Sequence, residues 1–179
     1  MPPVNPELVE AFSAKAAIVN AVVQEVPSMA AALQYVVDVC ENKAPAELLA
    51  DEPGVQQGPL GPNKVPTRVQ RIVAAPDLDD EDFAVLALAC EEKGFACLRN
   101  GLRNHLAGMI SEIHVILLRK SDIYPDLPSI AQLLRERMNA APATYTTLIT
   151  GPSRTADIER VGAVGVHGPL ELHIILLED

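Results

Sequence analysis

The sequence predicts an α/β protein, with a parallel or mostly parallel sheet flanked by helices. Three observations carry that prediction. Two segments, EIHVILL (112–118) and ELHIILL (171–177), nearly repeat each other. Both are continuous apolar runs rather than alternating ones, as strands buried on both faces of a parallel sheet are. Between them, SDIYPDLPSIAQLLRERMNAA supplies a loop and a helix of crossover length. The rest of the chain also alternates short strand patterns with helical ones.

In chain order, NPELVEAFSAKAAIVNAV reads as a helix with Asn5 as N-cap, Pro6 at its first position and Leu8, Phe12 and Ala16 on one face. AVVQEV is a short strand. SMAAALQYVVDVCENK is a second helix with Ser28 as N-cap. Together these form an N-terminal helical segment over about 5–42 of a single 179-residue domain. A Pro/Gly-rich loop over about 44–66 follows, and loops that long in a compact domain tend to be functional or mobile. RIVAA is a strand. PDLDDEDFAVLALACEEKG is a helix with acids crowding its first turn, as the macrodipole favours, and Gly94 as its C-cap. FACLR is a strand, NGLRNHLAGM a polar connection, and TYTTLIT (144–150) a strand before the last connection and the final strand.

Composition narrows the function classes. Hydrophobic residues make up 49% of the chain, which is globular and gives no sign of disorder. The net charge of −10 repels phosphate-rich partners, so nucleic acid is not an expected ligand. No apolar run approaches the roughly 20 residues of a membrane span, and no signal peptide is visible. Cys40, Cys90 and Cys97 form no CxxC and no zinc spacing, so no metal site is expected, and they read as buried small hydrophobes. An odd count suits a reducing, cytoplasmic setting.

The chemistry-bearing residues cluster in the last connection. LITGPSRTADIE reads as a strand, a tight turn and a helix start, placed where open α/β sheets bind ligands, beyond the carboxyl ends of the strands. Gly151 permits close approach to the backbone, Ser153 and Thr155 can cap the helix or donate to a ligand, and Arg154 offers a fork to a carboxylate or phosphate. Asp157 and Glu159 in the same first turn would satisfy the dipole internally, so a capped helix without a ligand fits the same letters. In GVHGP, His167 stands in a turn beside Gly168, able to titrate near neutrality and to act as a catalytic proton shuttle. His114 and His173 lie in apolar strands and read as hydrogen-bonded core histidines. Gly162, Gly165 and Gly168 do not make a GxGxxG pattern.

TGPSRTADIE followed by GVHGP and LHIILL resembles the LUD-domain, or lactate-utilisation protein C, family. Weaker similarity runs through LVEAFSAKAA, VVQEVPSMAAAL, AAPDLDDEDF, GLRNHLAG and SEIHVILLRKSDI. The resemblance implies a fold like the CoA-transferase, ribose-5-phosphate isomerase and glucosamine-phosphate isomerase group. It also implies a role beside iron–sulfur partner subunits in oxidising L-lactate, with the clusters in the partners and no cofactor in this chain. One departure is large. The family usually continues from HLAG into a segment carrying GIAETG and a further strand, whereas here Gly108, Met109 and Ile110 run straight into SEIHVILL. Either the chain is a shortened variant or residues at this join are left out of the sequence as written; the apolar strand faces that a true loss would expose favour the second. Three functions follow: a lactate-oxidation subunit binding a small anion at Gly151, Ser153, Arg154, Thr155 and Gly168; a non-catalytic sensing or assembly subunit; or, by fold analogy, an enzyme of CoA-transfer or sugar-phosphate isomerisation type.

Overall fold

The computed structural model describes residues 4–43, 71–99, 111–140, 148–152 and 168–178, together with the backbones of short strands at 47–49, 64–66, 154–156 and 162–164. The chain forms two compact units, Met1–Ala32 with Asn100–Asp179, and Leu33–Arg99. The join at Gly108–Ile110 lies outside the described residues.

The first unit is built on a three-stranded parallel sheet of β1 (Val22–Val26), β9 (Glu171–Leu177) and β6 (Ile113–Arg119), with β9 in the middle. Helix α1 (Pro6–Ile18) leads into β1. Asn5 Oδ1 accepts from the Glu7 and Leu8 amides, and Pro6 occupies a position where an N–H would be unpaired anyway. The helix stops at Asn20, which adopts a left-handed φ of 62°. Asn20 N donates to Ala17 O and Ala21 N to Ala16 O, each at 3.0 Å, the two bonds of a Schellman stop. Asparagine tolerates that conformation where most side chains do not, so the chain reverses directly from helix into strand.

The core of this unit joins Val9 and Ala16 of α1, Ala21, Ile123 and the alternate β9 residues Leu172, Ile174 and Leu176. Val23 and Ile116 flank Ile174 in register, and Leu118 flanks Leu176, so one face of the sheet presents a continuous apolar surface to α1. The intervening residues of β9, His173, Ile175 and Leu177, are buried as well. The 112–118 segment is different. Among the described residues β6 is an edge strand and half-buried along its length, so only one of the two near-repeats is the interior strand expected of both.

After β6, 3-10 turns at Lys120–Asp122 and Pro128–Ile130 lead to helix α4 (Ala131–Ala140). The expected strand at 144–150 is not seen where it can be judged. Residues 141–147 lie outside the described residues, and Leu148–Thr150 are irregular and exposed. Beyond them, β7 (Arg154–Ala156) pairs antiparallel with β8 (Gly162–Val164). This corrects the helix start expected at Ser153–Thr155. Capping residues also suit turns, and β-branched Thr155 paired with Ala163 favours a ladder over a helical turn.

Helix α2 (Met29–Asn42), capped by Ser28 Oγ accepting from Ala31 N at 3.3 Å, begins in the first unit and continues into the second, where Arg71 meets its end. The Arg71 guanidinium donates to the carbonyls of Cys40, Glu41 (2.8 Å) and Lys43 (2.5 Å), filling acceptors that a helix end leaves open. It also stacks over Phe95 at 5.6 Å. Strands β4 (Ile72–Ala74) and β5 (Ala96–Leu98) pair in parallel, and helix α3 (Asp80–Glu92) connects them, burying Leu86 and Cys90. Asp79 caps α3 by accepting from Asp82 N at 2.8 Å, and Gly94 ends it at φ 72°. Within the Pro/Gly-rich loop, β2 (Glu47–Leu49) and β3 (Lys64–Pro66) form an antiparallel pair.

Candidate functional site

Gly151 sits at φ 142°, and a Cβ there would lie 3.1 Å from Val19 Cβ. Val19 caps α1 just ahead of β1. The glycine is therefore required by its own chain, for close packing and for a φ that side chains avoid. It also places Gly151 beside the amino-terminal end of β1, not at the carboxyl edge where ligands in open α/β sheets are expected. Gly168 belongs to the same amino-terminal edge. It leads into β9 through Leu170, whose amide, with that of Glu171, donates to the Glu112 carbonyl at 2.9 and 3.2 Å.

The β7–β8 ladder brings two of the singled-out stretches together. Arg154 is in register with Val164 and Thr155 with Ala163. Val164 stands three residues before His167 in the chain. Ser153 and His167 themselves lie outside the described residues, as do the side chains of Arg154 and Thr155.

The two strand histidines part company. His173 is 6% exposed, with Nε2 3.3 Å from Glu171 Oε2, as expected of a paired core histidine. His114 is half-buried, and its Nδ1 is fully enclosed without a hydrogen-bond partner, against expectation. Burial holds its pKa below the usual 6.5, so the ring stays neutral. Ser111 Oγ, three residues earlier, is also enclosed and unpartnered.

The carboxyl ends of the same three strands carry a cluster that sequence reasoning missed. Lys120, directly after β6, is 13% exposed in its side chain. Its Nζ lies 2.6 Å from Glu25 Oε2 at the end of β1 and 3.6 Å from Glu178 Oε1 after β9. The bond to Glu25 raises the Lys120 pKa, which keeps the ammonium charged. Only part of the signal was present in the sequence, since Glu178 directly ends an apolar run while Glu25 lies inside AVVQEV and Lys120 follows Arg119. With two carboxylates on one ammonium the cluster clasps the strand ends and has no cation left for an anion.

The cysteines converge although their spacing gives no hint of it. Cys97 and Cys40 both stand near enough to Cys90 to raise its pKa, and all three are free thiols. Burial, then the neighbouring Cys97, pushes the Cys90 thiol up to about 12, and burial raises the other two. Thiols held neutral in this way are poor nucleophiles and poor metal ligands. Among the described residues no group of three or more His, Cys, Asp or Glu is arranged to hold a metal ion, and no helix is long and apolar enough to cross a membrane.

The LUD domain model matches residues 89–177, which span α3's last turn, β5, β6, the β7–β8 hairpin and β9. The uncharacterized protein YkgG of Escherichia coli K12 is 33% identical over 91 residues, 50% of this chain and 39% of that protein. Lactate utilization protein C 1 of Bacillus mycoides is 34% identical over 101 residues, 54% of this chain and 42% of that one. Lactate utilization protein C of Anoxybacillus flavithermus is 34% identical over 82 residues, 46% of this chain and 36% of its own. The matches thus span well under half the length of these relatives. No solved structure matches. The region that the family model matches holds both near-repeat strands and the β7–β8 ladder, and through residues 89–177 the chain belongs to the LUD-domain family.

Proposed function

We propose that this chain serves a lactate-utilisation system by binding a small carboxylate or phosphate at the GPSRT turn, beside partner subunits that carry the iron–sulfur clusters. The observation behind this reading is the register of Arg154 with Val164, a backbone pairing of GPSRT with the strand that precedes GVHGP in the chain. A guanidinium with adjacent turn amides suits a planar carboxylate. The loss of the expected helix start removes a helix dipole from the argument, so Arg154 supplies the charge, with Ser153 and Thr155 as neutral donors. His167 orients the ligand or exchanges a proton with its hydroxyl. Electrons leave through the partner chains. The relatives called lactate utilization protein C support the choice of a hydroxy acid as ligand.

The test is titration with L-lactate, pyruvate and phosphate, followed by NMR. Arg154→Ala should weaken the preferred anion by about 1.5–3 kcal/mol, the range of a charged hydrogen bond, that is, by tenfold or more. Equal affinity in Arg154→Ala and the parent chain would remove the site. Purification from native cells with the associated proteins should then yield iron–sulfur absorbance and lactate oxidation.

A further inference from the structure

Ser111 Oγ and His114 Nδ1 are both enclosed, and neither has a hydrogen-bond partner among the described residues. They stand three residues apart around the start of β6, at the amino-terminal edge of the first unit's sheet. His114 alternates with Ile116 and Leu118 and is in register with Leu172 (3% exposed), so its ring lies on the apolar face that packs against α1. Glu112, between the two, accepts from Leu170 N at 2.9 Å and Glu171 N at 3.2 Å. Arg154 approaches the same stretch from its other end, in register with Val164. One segment, 164–171, therefore pairs with the GPSRT backbone where it starts and with the backbone beside Ser111 and His114 where it ends, with Gly168 between.

We infer that Ser111 and His114 form a neutral subsite for the hydroxyl of a small 2-hydroxy acid, an inference that rests on the GPSRT turn taking the carboxylate. Enclosed polar atoms are paired almost everywhere in folded proteins, and two exceptions this close in the chain mark groups kept for something other than stability. A hydroxyl both donates and accepts, so it pairs with Nδ1 in either tautomer and with the Ser111 hydroxyl as well. A carboxylate suits this place badly. Burial keeps the His114 ring neutral, so the subsite offers no charge to offset the desolvation of an anion. A subsite built to hydrogen-bond a hydroxyl also rejects the analogue that lacks it, because its own buried groups are then left unpaired. Entry uses the position of β6, an edge strand among the described residues, whose local opening needs less than that of β9.

Calorimetric titration of the full chain with L-lactate and with propionate, the same acid without the hydroxyl, tests this. The parent chain should bind lactate at least about tenfold more tightly than propionate, the factor expected when one buried group is left unpaired. Ser111→Ala and His114→Leu should each bring lactate down to the affinity of propionate and leave propionate unchanged. Each should also raise the urea midpoint without ligand, since each removes an enclosed group that has no partner. His114→Asn, which sets an amide near the place of Nδ1, should keep the preference for lactate. Arg154→Ala should weaken both acids alike. Equal binding of the two acids by the parent chain overturns the subsite, and so does a preference for lactate that survives in both Ser111→Ala and His114→Leu. In those cases a loss of both acids in Arg154→Ala leaves the GPSRT reading standing. A parent chain that binds neither acid removes that reading and the subsite together.

Discussion

Strand β9 is paired by β1 on one side and by β6 on the other, and every residue from Leu172 to Leu177 is buried. Strand β6 is paired by β9 alone among the described residues, and Ile113–Leu118 are half-buried throughout. Yet six of their residues match or exchange one aliphatic for another: Ile113 for Leu172, His114 for His173, and onward to Leu118 for Leu177. The register then offsets the two by one residue, pairing Val115 with His173 and Leu118 with Leu176. That offset sends equivalent letters to opposite faces. His173 meets Glu171 on one face, while His114, on the face of Leu172, finds no partner for Nδ1. The lesson is that a side chain's cost or benefit belongs to its place in the sheet, not to its place in a motif.

The largest test of this contrast compares Leu176→Ala with Leu118→Ala, two leucines in register that join the same core. Leu176 is fully enclosed, so its truncation should cost about 2–5 kcal/mol. Leu118 retains solvent contact and should cost roughly half as much, since less apolar area leaves water. Urea unfolding of both variants measures the difference, and equal losses would mean that β6 is as interior as β9.

A smaller effect of opposite sign is expected at His114. Leucine there removes an enclosed nitrogen without a partner and should stabilise the fold by about 1 kcal/mol, near the low end of the cost of such a group. It should also flatten the response to acid. Burial lowers the folded-state pKa of His114, so as the pH falls below 6.5 the unfolded chain takes up a proton that the folded one refuses. Stability therefore drops from pH 6.5 downward until the folded-state pKa is reached, by at most about 1.4 kcal/mol per pH unit from this group. Denaturation midpoints of the parent and His114→Leu should converge above pH 7 in slope and separate below 6.5. Parallel curves would show that His114 is protonated equally in both states.

The smallest expected difference is dynamic. Amides of β9 all lie between two neighbours and should exchange only on global unfolding, whereas alternate amides of β6 face away from β9 and should exchange through local opening. Hydrogen exchange followed by NMR resolves this strand by strand, and uniform protection across both would contradict an edge position for β6.

Much of the local structure could be read from the letters. Asn5, Ser28 and Gly94 act where their types indicate, because capping needs only a short polar side chain or a permissive backbone within one turn. The connection from Gly151 to Thr155 was misjudged for a related reason. Ser153 and Thr155 serve a helix cap or a turn equally well, and the pairing of Arg154–Ala156 with Gly162–Val164 that decides between them is not a property of either segment alone. Gly151 was read as an approach for a ligand, and its neighbour proved to be Val19, more than a hundred residues earlier.

By itself, the sequence determined helices α1 to α4, the parallel strands β1, β4, β5, β6 and β9, and the family to which residues 89–177 belong, since hydrophobic period and capping chemistry act over a few residues. Tertiary structure alone decided that Lys120 clasps Glu25 and Glu178, that Arg71 closes the end of α2, that Cys40, Cys90 and Cys97 meet, and that one of two near-identical strands is the centre and the other the edge. Each of these depends on which distant segments become neighbours. Local propensity is blind to that choice, because the burial and pairing energies that make it arise only when the sheet assembles.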